Sequence, residues 1–337
     1  MQHTERKHAR LSASRTDRFM TCPGSYRLES LMPYEPAGEA AAIGTAIHEL
    51  SEIILTNKPI PEGTDPEHIA MAQGYADFIH GLIENPRKKL IEVNLDKGLK
   101  SLHPALGGTA DAVLVDGDHL HIVDLKTGRV AVDAKENKQL LTYALGAMRQ
   151  FNAPTSIQCT MHIYQPKAGH SKWTVSGETL LAHAVSLKAA AELALTGDAP
   201  TNPSPDACKY CKAKTICPSM REKVQQNARK EFAPDTAITP DMLDLAAIAS
   251  DWAEAVQNAA KTQLTSGSPI QGWTMRPGRK TKFWKDEKIV MDILKNTQTA
   301  WDLKSPSAIA KLNIEVSEDL IGEKHAAPSL VREKSKD

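Results

Sequence analysis

The chain has 337 residues, with 41 Lys+Arg against 41 Asp+Glu and 41% hydrophobic residues, enough for one elaborated domain or two. A net charge of +0 excludes the uniformly basic coat of a histone-like binder, but leaves room for an enzyme whose positive charge is confined to one channel. The polar start M-Q-H-T-E-R-K-H-A-R, and the lack of any apolar run of about 18 residues, point to a soluble intracellular protein with neither a membrane span nor a secretory signal.

In chain order, residues 11–56 read as helical: S-A-S-R-T-D-R-F offers a Ser cap, and A-A-A-I-G-T-A-I-H-E-L-S-E-I-I-L places apolar residues at helical intervals around His48. A second helix is predicted over 66–85, ending at Asn85-Pro86. I-E-V-N-L, G-T-A-D-A-V-L-V and H-L-H-I-V-D-L-K then read as three strands, the last two joined as a hairpin by the D-G-D turn at 116–118. A helix over 134–151 follows, with Gln139 and Tyr143 four apart on one face. Strands at 156–164 and 171–176 precede an Ala- and Leu-rich helix to about 196. Beyond a Pro-rich stretch and a cysteine cluster, 239–265 is an amphipathic helix, and 270–337 an appended region with a charged, frayed end. The expected division is a domain over 1–232 and a helical, basic C-terminal region over 233–337.

The five cysteines are too few for a disulfide scaffold, and their uneven placement points to metal binding or buried thiols. Cys208, Cys211 and Cys217 form C-x2-C-x5-C, while Cys22 stands far upstream in M-T-C-P-G and Cys159 lies in a core-like strand pattern. If the fold brings Cys22 to the other three, four thiolates could hold zinc or a [4Fe–4S] cluster, and spacing does not choose between them.

The chemistry of the hairpin is more specific. Asp124 and Lys126 are two apart in a strand, so both leave one face, and Asp111 on the preceding strand can approach them. Paired carboxylates beside a lysine suit metal-dependent phosphodiester cleavage, in which acidic oxygens hold Mg2+ or Mn2+ and an ammonium group stabilises charge. His48 would add an imidazole ligand and tilt the preference toward Mn2+. Asp-x-Lys alone is usually a surface ion pair. The order His, Asp, Asp-x-Lys, Gln-x3-Tyr across helix, strand, strand and helix is far more specific.

These motifs, G-T-A-I-H-E, G-G-T-A-D-A-V, I-V-D-L-K-T-G and N-K-Q-L-L-T-Y-A, resemble the successive motifs of RecB-type nucleases in the PD-(D/E)XK superfamily. One Cys before that core and C-x2-C-x5-C after it is similar to its iron–sulfur exonucleases, including the CRISPR-associated ones. The resemblance covers roughly residues 11–220. It implies an α/β fold: a restriction-endonuclease-like core with a central mixed sheet flanked by helices, an Fe–S staple and a C-terminal appendage. It further implies that His48, Asp111, Asp124 and the main-chain carbonyl of Leu125 bind the metal, and that Lys126 is the catalytic lysine. Gln139 and Tyr143 would support the site and contact DNA, and Cys22, Cys208, Cys211 and Cys217 would hold a [4Fe–4S] cluster. The second acidic position is Asp124 where the superfamily often has Glu, a choice common among RecB-like members.

No Walker motif occurs, so no fused ATP motor is expected. The stretch Q-G-W-T-M-R-P-G-R-K-T-K-F-W-K-D-E-K carries six Lys/Arg against two acids, with Trp273, Phe283 and Trp284 among them. Arg276, Arg279, Lys280 and Lys282 could bind phosphates of a DNA strand while Trp273 and Trp284 stack on bases; a hairpin with buried tryptophans explains the same pattern. The layout also looks like phage and prophage proteins. The expectation is therefore a metal-dependent DNA exonuclease of phage replication or recombination, in the cytoplasm of a bacterial host, with a single-strand-binding or annealing protein as a further partner. A non-catalytic DNA-binding or scaffold protein is the alternative; the complete set of His48, Asp111, Asp124 and Lys126 speaks against it.

Overall fold

Pro23 and Gly24 break the segment over 11–56, which the sequence reads as helical, between its first two helices. The structure, a computed structural model, describes residues 9–33, 38–83, 86–228, 238–278, 280–294, 305–306, 309, 317–325 and 328–332. Its N-terminal part holds a short strand β1 (Leu11–Ser12), a 3-10 turn (Ala13–Arg15), and helices α1 (Thr16–Thr21), α2 (Ser25–Ser30) and α3 (Glu39–Leu55). The physical reason for the break is that Pro23 has no N–H to give a helix, while the Gly24 N–H donates to Pro200 O at 2.8 Å and draws the backbone toward a distant segment.

Downstream, the predicted elements are present with shifted ends. Helix α4 (Pro66–Leu82) starts on Asp65, whose carboxylate accepts the Glu67 N–H at 2.8 Å, with Pro66 at the first helical position. Strand β2 (Lys88–Asn94) is followed by a short helix α5 (Asp96–Lys100) that the sequence does not announce, then by β3 (Leu106–Gly107), β4 (Thr109–Asp116) and β5 (His119–Leu125). Gly117, at φ +56, makes the tight β4–β5 turn, and Asp116 pairs with His119 across it. Helix α6 (Lys138–Gln150) is capped by the Asn137 side chain, which accepts the Leu140 N–H at 3.1 Å. Next come β6 (Gln158–Gln165), β7 (Gly169–Ser176), α7 (Gly177–Ala194), α8 (Pro205–Lys209), α9 (Pro218–Ala228) and α10 (Pro240–Thr265).

The central sheet has five strands in the order β2-β4-β5-β6-β7. It is mixed, because β5 and β6 are parallel while the other neighbours are antiparallel. The parallel pair requires a crossover, and α6 supplies it. Helices cover both faces. Leu120 and Ile122 of β5 pack with Leu140, Ala144 and Leu187 on the α6–α7 side, while Val123 and Leu125 pack with Ile47, Tyr75 and Ile79 on the α3–α4 side. Each such fully buried aliphatic side chain contributes about 1.5–3 kcal/mol. α5 lies so close to α6 that a side chain at Gly98 would run into the Gly146 carbonyl. Cys159 is fully buried in the α6–α7 core, as its strand pattern suggests.

The chain falls into two compact units, residues 1–251 and 252–337. The division expected from sequence at 232/233 lies outside the described residues. Within the first unit Ile248 is fully buried and Lys214 pairs with Asp251 at 3.0 Å, which ties the first half of α10 to the cysteine-bearing segment. The second unit contains β8 (Trp273–Arg276), β9 (Lys280–Trp284), α11 (Glu287–Leu294), β10 (Ile321–His325) and β11 (Ser329–Arg332). β9 pairs with β10 and β8 with β11, both antiparallel, and Trp284, Val290 and Ile309 form a small core with Ile321 of β10 against it.

Among the described residues, no helix is long and apolar enough to cross a membrane.

Candidate functional site

Two of the sequence motifs, Asp-x-Lys and Gln-x3-Tyr, meet at the C-terminal end of β5. Lys126 Nζ lies 2.8 Å from Asp124 Oδ2 and donates to Gln139 Oε1 at 3.2 Å. The Gln139 amide also donates to Asp124 Oδ1 at 3.1 Å and to the Tyr143 hydroxyl at 3.1 Å. Gln139 is near the start of α6, and Tyr143 one turn later, so the crossover helix presents both to the strand end. One amide thus bridges the carboxylate, the ammonium group and the phenol.

Beside this ring lies a second group. His48 Nδ1 of α3 is 3.4 Å from Asp111 Oδ1, and Asp111 Oδ2 accepts the Leu125 N–H at 2.7 Å. The Leu125 side chain is core, while its amide ties β5 to the Asp111 carboxylate between the two catalytic candidates Asp124 and Lys126. His48 and Asp111 come within reach because α3 packs on the β2 and β4 side of the sheet, anchored by Ile47 and Leu50.

The sequence does not single out one further member. Glu92 of β2 offers a carboxylate oxygen, and with a His48 nitrogen and an Asp111 oxygen all three ligand atoms lie within 4.8 Å of one another. In I-E-V-N-L it reads as an ordinary strand residue; its faint signal is a carboxylate between two apolar neighbours.

The electrostatics suit a cation. Burial raises the Asp124 pKa, opposed by Lys126 and reinforced by the Asp111 charge. Asp124 is 3% exposed, and its Oδ2 receives no well-directed hydrogen bond even though Lys126 Nζ stands at ion-pair distance. Burial would lower both His48 and Lys126, but Asp111 raises the first and Asp124 the second, so both remain above their ordinary values. Burial, with Asp124 behind it, pushes the Tyr143 phenol far above its usual range, so it serves as a neutral hydrogen-bonding group. The imidazole of His48 and the carboxylate oxygens of Glu92 and Asp111 are a mixed N/O donor set that suits a divalent metal such as Mg2+ or Mn2+, with the Asp124–Lys126 pair beside it.

The cysteines come from both sides of the site in chain order. Cys22 at the end of α1 is buried, and its sulfur accepts the Asn202 N–H at 3.2 Å. The Asn202 side chain donates to Thr21 O at 3.3 Å, and Glu29 accepts from both Arg18, at 2.5 Å, and the Lys212 N–H, at 3.0 Å. These bonds tie α1 and α2 to residues 200–212. Burial raises the Cys22 and Cys208 thiols and pushes Cys211 up to about 11, and neighbouring sulfurs add to it, Cys217 on Cys22 and both Cys22 and Cys217 on Cys208. Such thiols ionise readily when a positive centre binds them.

In the second unit, Trp273 and Phe283 are each about two-fifths exposed, and Arg276, Lys280 and Lys282 are exposed. Lys280 contacts Glu323 at 3.4 Å, an exposed pair of little energetic weight. Trp284 is a correction to the sequence expectation: it is buried with Val290 and Ile309, because its place at the end of β9 turns it into the small core, and it has no face to offer a base. Arg279 lies outside the described residues.

Among solved structures, one titled "Crystal structure of SSO0001" matches with 14% identity over 64% of this chain and 89% of that one, at a TM-score of 0.32. A family profile described as "Protein of unknown function (DUF2800)" matches residues 8–337, and the chain belongs to that family.

Proposed function

We propose that the protein is a metal-dependent DNA exonuclease with a PD-(D/E)XK core, hydrolysing phosphodiester bonds in phage-type replication or recombination. The observation that carries this reading is the junction at the end of β5, where Asp124, Lys126, Gln139 and Tyr143 form one bonded group beside the His48–Asp111 pair. A structural ion pair has no need of a bridging amide, a buried carboxylate with a poorly satisfied oxygen and an adjoining imidazole–carboxylate pair.

His48, Asp111, Asp124 and the Leu125 carbonyl would hold Mg2+ or Mn2+. The bound ion supplies an acidified water and neutralises the carboxylates. Lys126, kept as an ammonium by Asp124, offers positive charge to a scissile phosphate and can orient the attacking water. Gln139 holds the Lys126 and Asp124 heads in place, and Tyr143 fixes Gln139.

For the cysteine group we propose a [4Fe–4S] cluster on Cys22, Cys208, Cys211 and Cys217, with zinc as the competing occupant. The hydrogen bonds between α1–α2 and residues 200–212 support a staple there. The exposed Arg276, Lys280, Lys282 and Trp273 support a single-strand path on the second unit. The deciding experiment incubates end-labelled single- and double-stranded DNA with the protein and Mn2+ or Mg2+. Shortened products from wild type and none from Asp124→Ala are expected; equal products from both, or none from wild type, would remove the reading.

A further inference from the structure

Glu92 stands directly across from Asp111 in the β2–β4 ladder, since the flanking pairs are Ile91 with Ala112 and Val93 with Ala110. The ladder opens at this position. Glu92 has φ +49, the left-handed region that side-chain-bearing residues rarely occupy, least of all inside a strand. At the same point β4 changes phase: Ala110 packs on the α6 side, whereas Ala112 and Leu114 pack on the α3–α4 side. In a regular strand residues 110 and 112 would share a face. The distortion leaves the Glu92 and Asp111 carboxylates close together with His48, all three ligand atoms within 4.8 Å.

We propose that Glu92 is itself a metal ligand, forming with His48 and Asp111 a cation-binding triad anchored on β2, α3 and β4. The ligand set implied by the nuclease resemblance, His48, Asp111, Asp124 and the Leu125 carbonyl, does not contain it. Two carboxylates and an imidazole from three elements match the mixed N/O set that Mn2+ accepts. The buried Asp124 carboxylate, paired with Lys126 Nζ at 2.8 Å, stands outside these three ligand atoms and adds negative charge beside them. On this assignment the opened ladder is the means by which an interior strand delivers a carboxylate to a metal held mainly by its neighbours. The inference rests on the metal-dependent reading of this site.

The test titrates Mn2+ alone into the full-length protein, reading free Mn2+ by electron paramagnetic resonance and the melting temperature by calorimetry. Wild type is compared with Glu92→Gln, Glu92→Gly and Asp111→Asn. In Glu92→Gln the Mn2+ affinity is expected to fall at least about tenfold, the loss that even an indirect partner of a metal ligand costs. Glu92→Gly suits the left-handed backbone, so without metal it should melt no lower than wild type and yet lose most of the Mn2+-induced rise in Tm. Unchanged affinity in both Glu92 variants, with binding lost in Asp111→Asn, would overturn the role of Glu92 and leave the remaining metal ligands standing. No Mn2+ binding by wild type would overturn both. Glu92-dependent Mn2+ binding by a protein that cuts no DNA would uphold the triad and remove the nuclease.

Discussion

Lys126 reaches back over one residue to Asp124, with Nζ 2.8 Å from Oδ2, while the same ammonium group donates to Gln139 on the crossover helix. The pair is thus held from the strand and from the helix at once. In Lys126→Ala, divalent-metal-dependent hydrolysis of linear DNA should fall about 100-fold or more, as when other charge-stabilising donors are removed. Circular dichroism should report an intact fold. Wild-type turnover in this variant would remove Lys126 from the chemistry.

Gln139 carries less charge but more connections. Gln139→Ala leaves Asp124 Oδ1 and the Tyr143 hydroxyl without their shared donor, at a cost of about 1–3 kcal/mol in urea unfolding. Turnover should fall about tenfold, in kcat more than in KM, because the loss is one of orientation. Tyr143→Phe, which keeps the ring in its buried position, should lose less on both measures. A Tyr143→Phe variant more damaged than Gln139→Ala would reverse the proposed hierarchy.

Anaerobically purified protein should be brown and contain iron, and Cys22→Ser or Cys208→Ser should lose both iron and colour. Either change should also lower Tm, since the bound group would join α1 to the segment that donates the Asn202 N–H. Metal analysis decides the occupant: stoichiometric zinc without iron would replace the cluster by a zinc site.

A row of imidazoles crosses the sheet on the α4 side. His121 is hydrogen-bonded to His162 at 3.1 Å and His162 to His170 at 3.1 Å, with Phe78 against the last two rings. Burial and neighbouring histidines hold His121 down to about 4 and His162 down to about 3, and burial with Lys172 lowers His170. These groups are neutral in the folded protein at a pH where the unfolded chain, near about 6.5, already takes up protons. Their effect on stability is therefore absent above that pH and becomes a loss as pH falls from about 6.5 toward 4. Urea midpoints at pH 7.5, 5.5 and 4.5 measure it, and His162→Gln should flatten the decline by at most about 1 kcal/mol per pH unit after allowance for solvent screening. An unchanged slope would mean that the row does not control acid stability.

In the second unit, replacing Arg276, Lys280 and Lys282 by Ala should weaken single-stranded DNA binding and reduce the slope of log affinity against log salt by about 2. Trp273→Ala should weaken binding by about 1–3 kcal/mol without loss of stability. Trp284→Ala should instead unfold its unit, since burial with Val290 and Ile309 makes its removal cost about 3–5 kcal/mol. Salt-independent binding in the triple variant and wild type alike would return this surface to a purely structural role.

Residues close in sequence were the most legible. Asp124 with Lys126 and Gln139 with Tyr143 share faces because two-residue and four-residue spacings do so in a strand and a helix whatever surrounds them. The Asp116–Asp118 turn is local for the same reason. The helical reading of 11–56 did not show where the helices break, because periodicity says nothing about Pro200, the partner that takes the Gly24 N–H. Trp284 was misread because a basic, aromatic stretch does not reveal which ring a neighbouring strand will cover.

The sequence by itself determined which side chains could do chemistry and which of them travel in pairs, since short-range geometry follows from the backbone. Only the tertiary structure decided which pairs meet. His48 reaches Asp111 because α3 packs on one face of the sheet, and Gln139 reaches Asp124 because α6 crosses over the other. Glu92 joins them through a distortion of β2 opposite Asp111 that no local pattern encodes. Contacts of this kind depend on strand order and register, which are set by the burial of the whole apolar core rather than by any one segment.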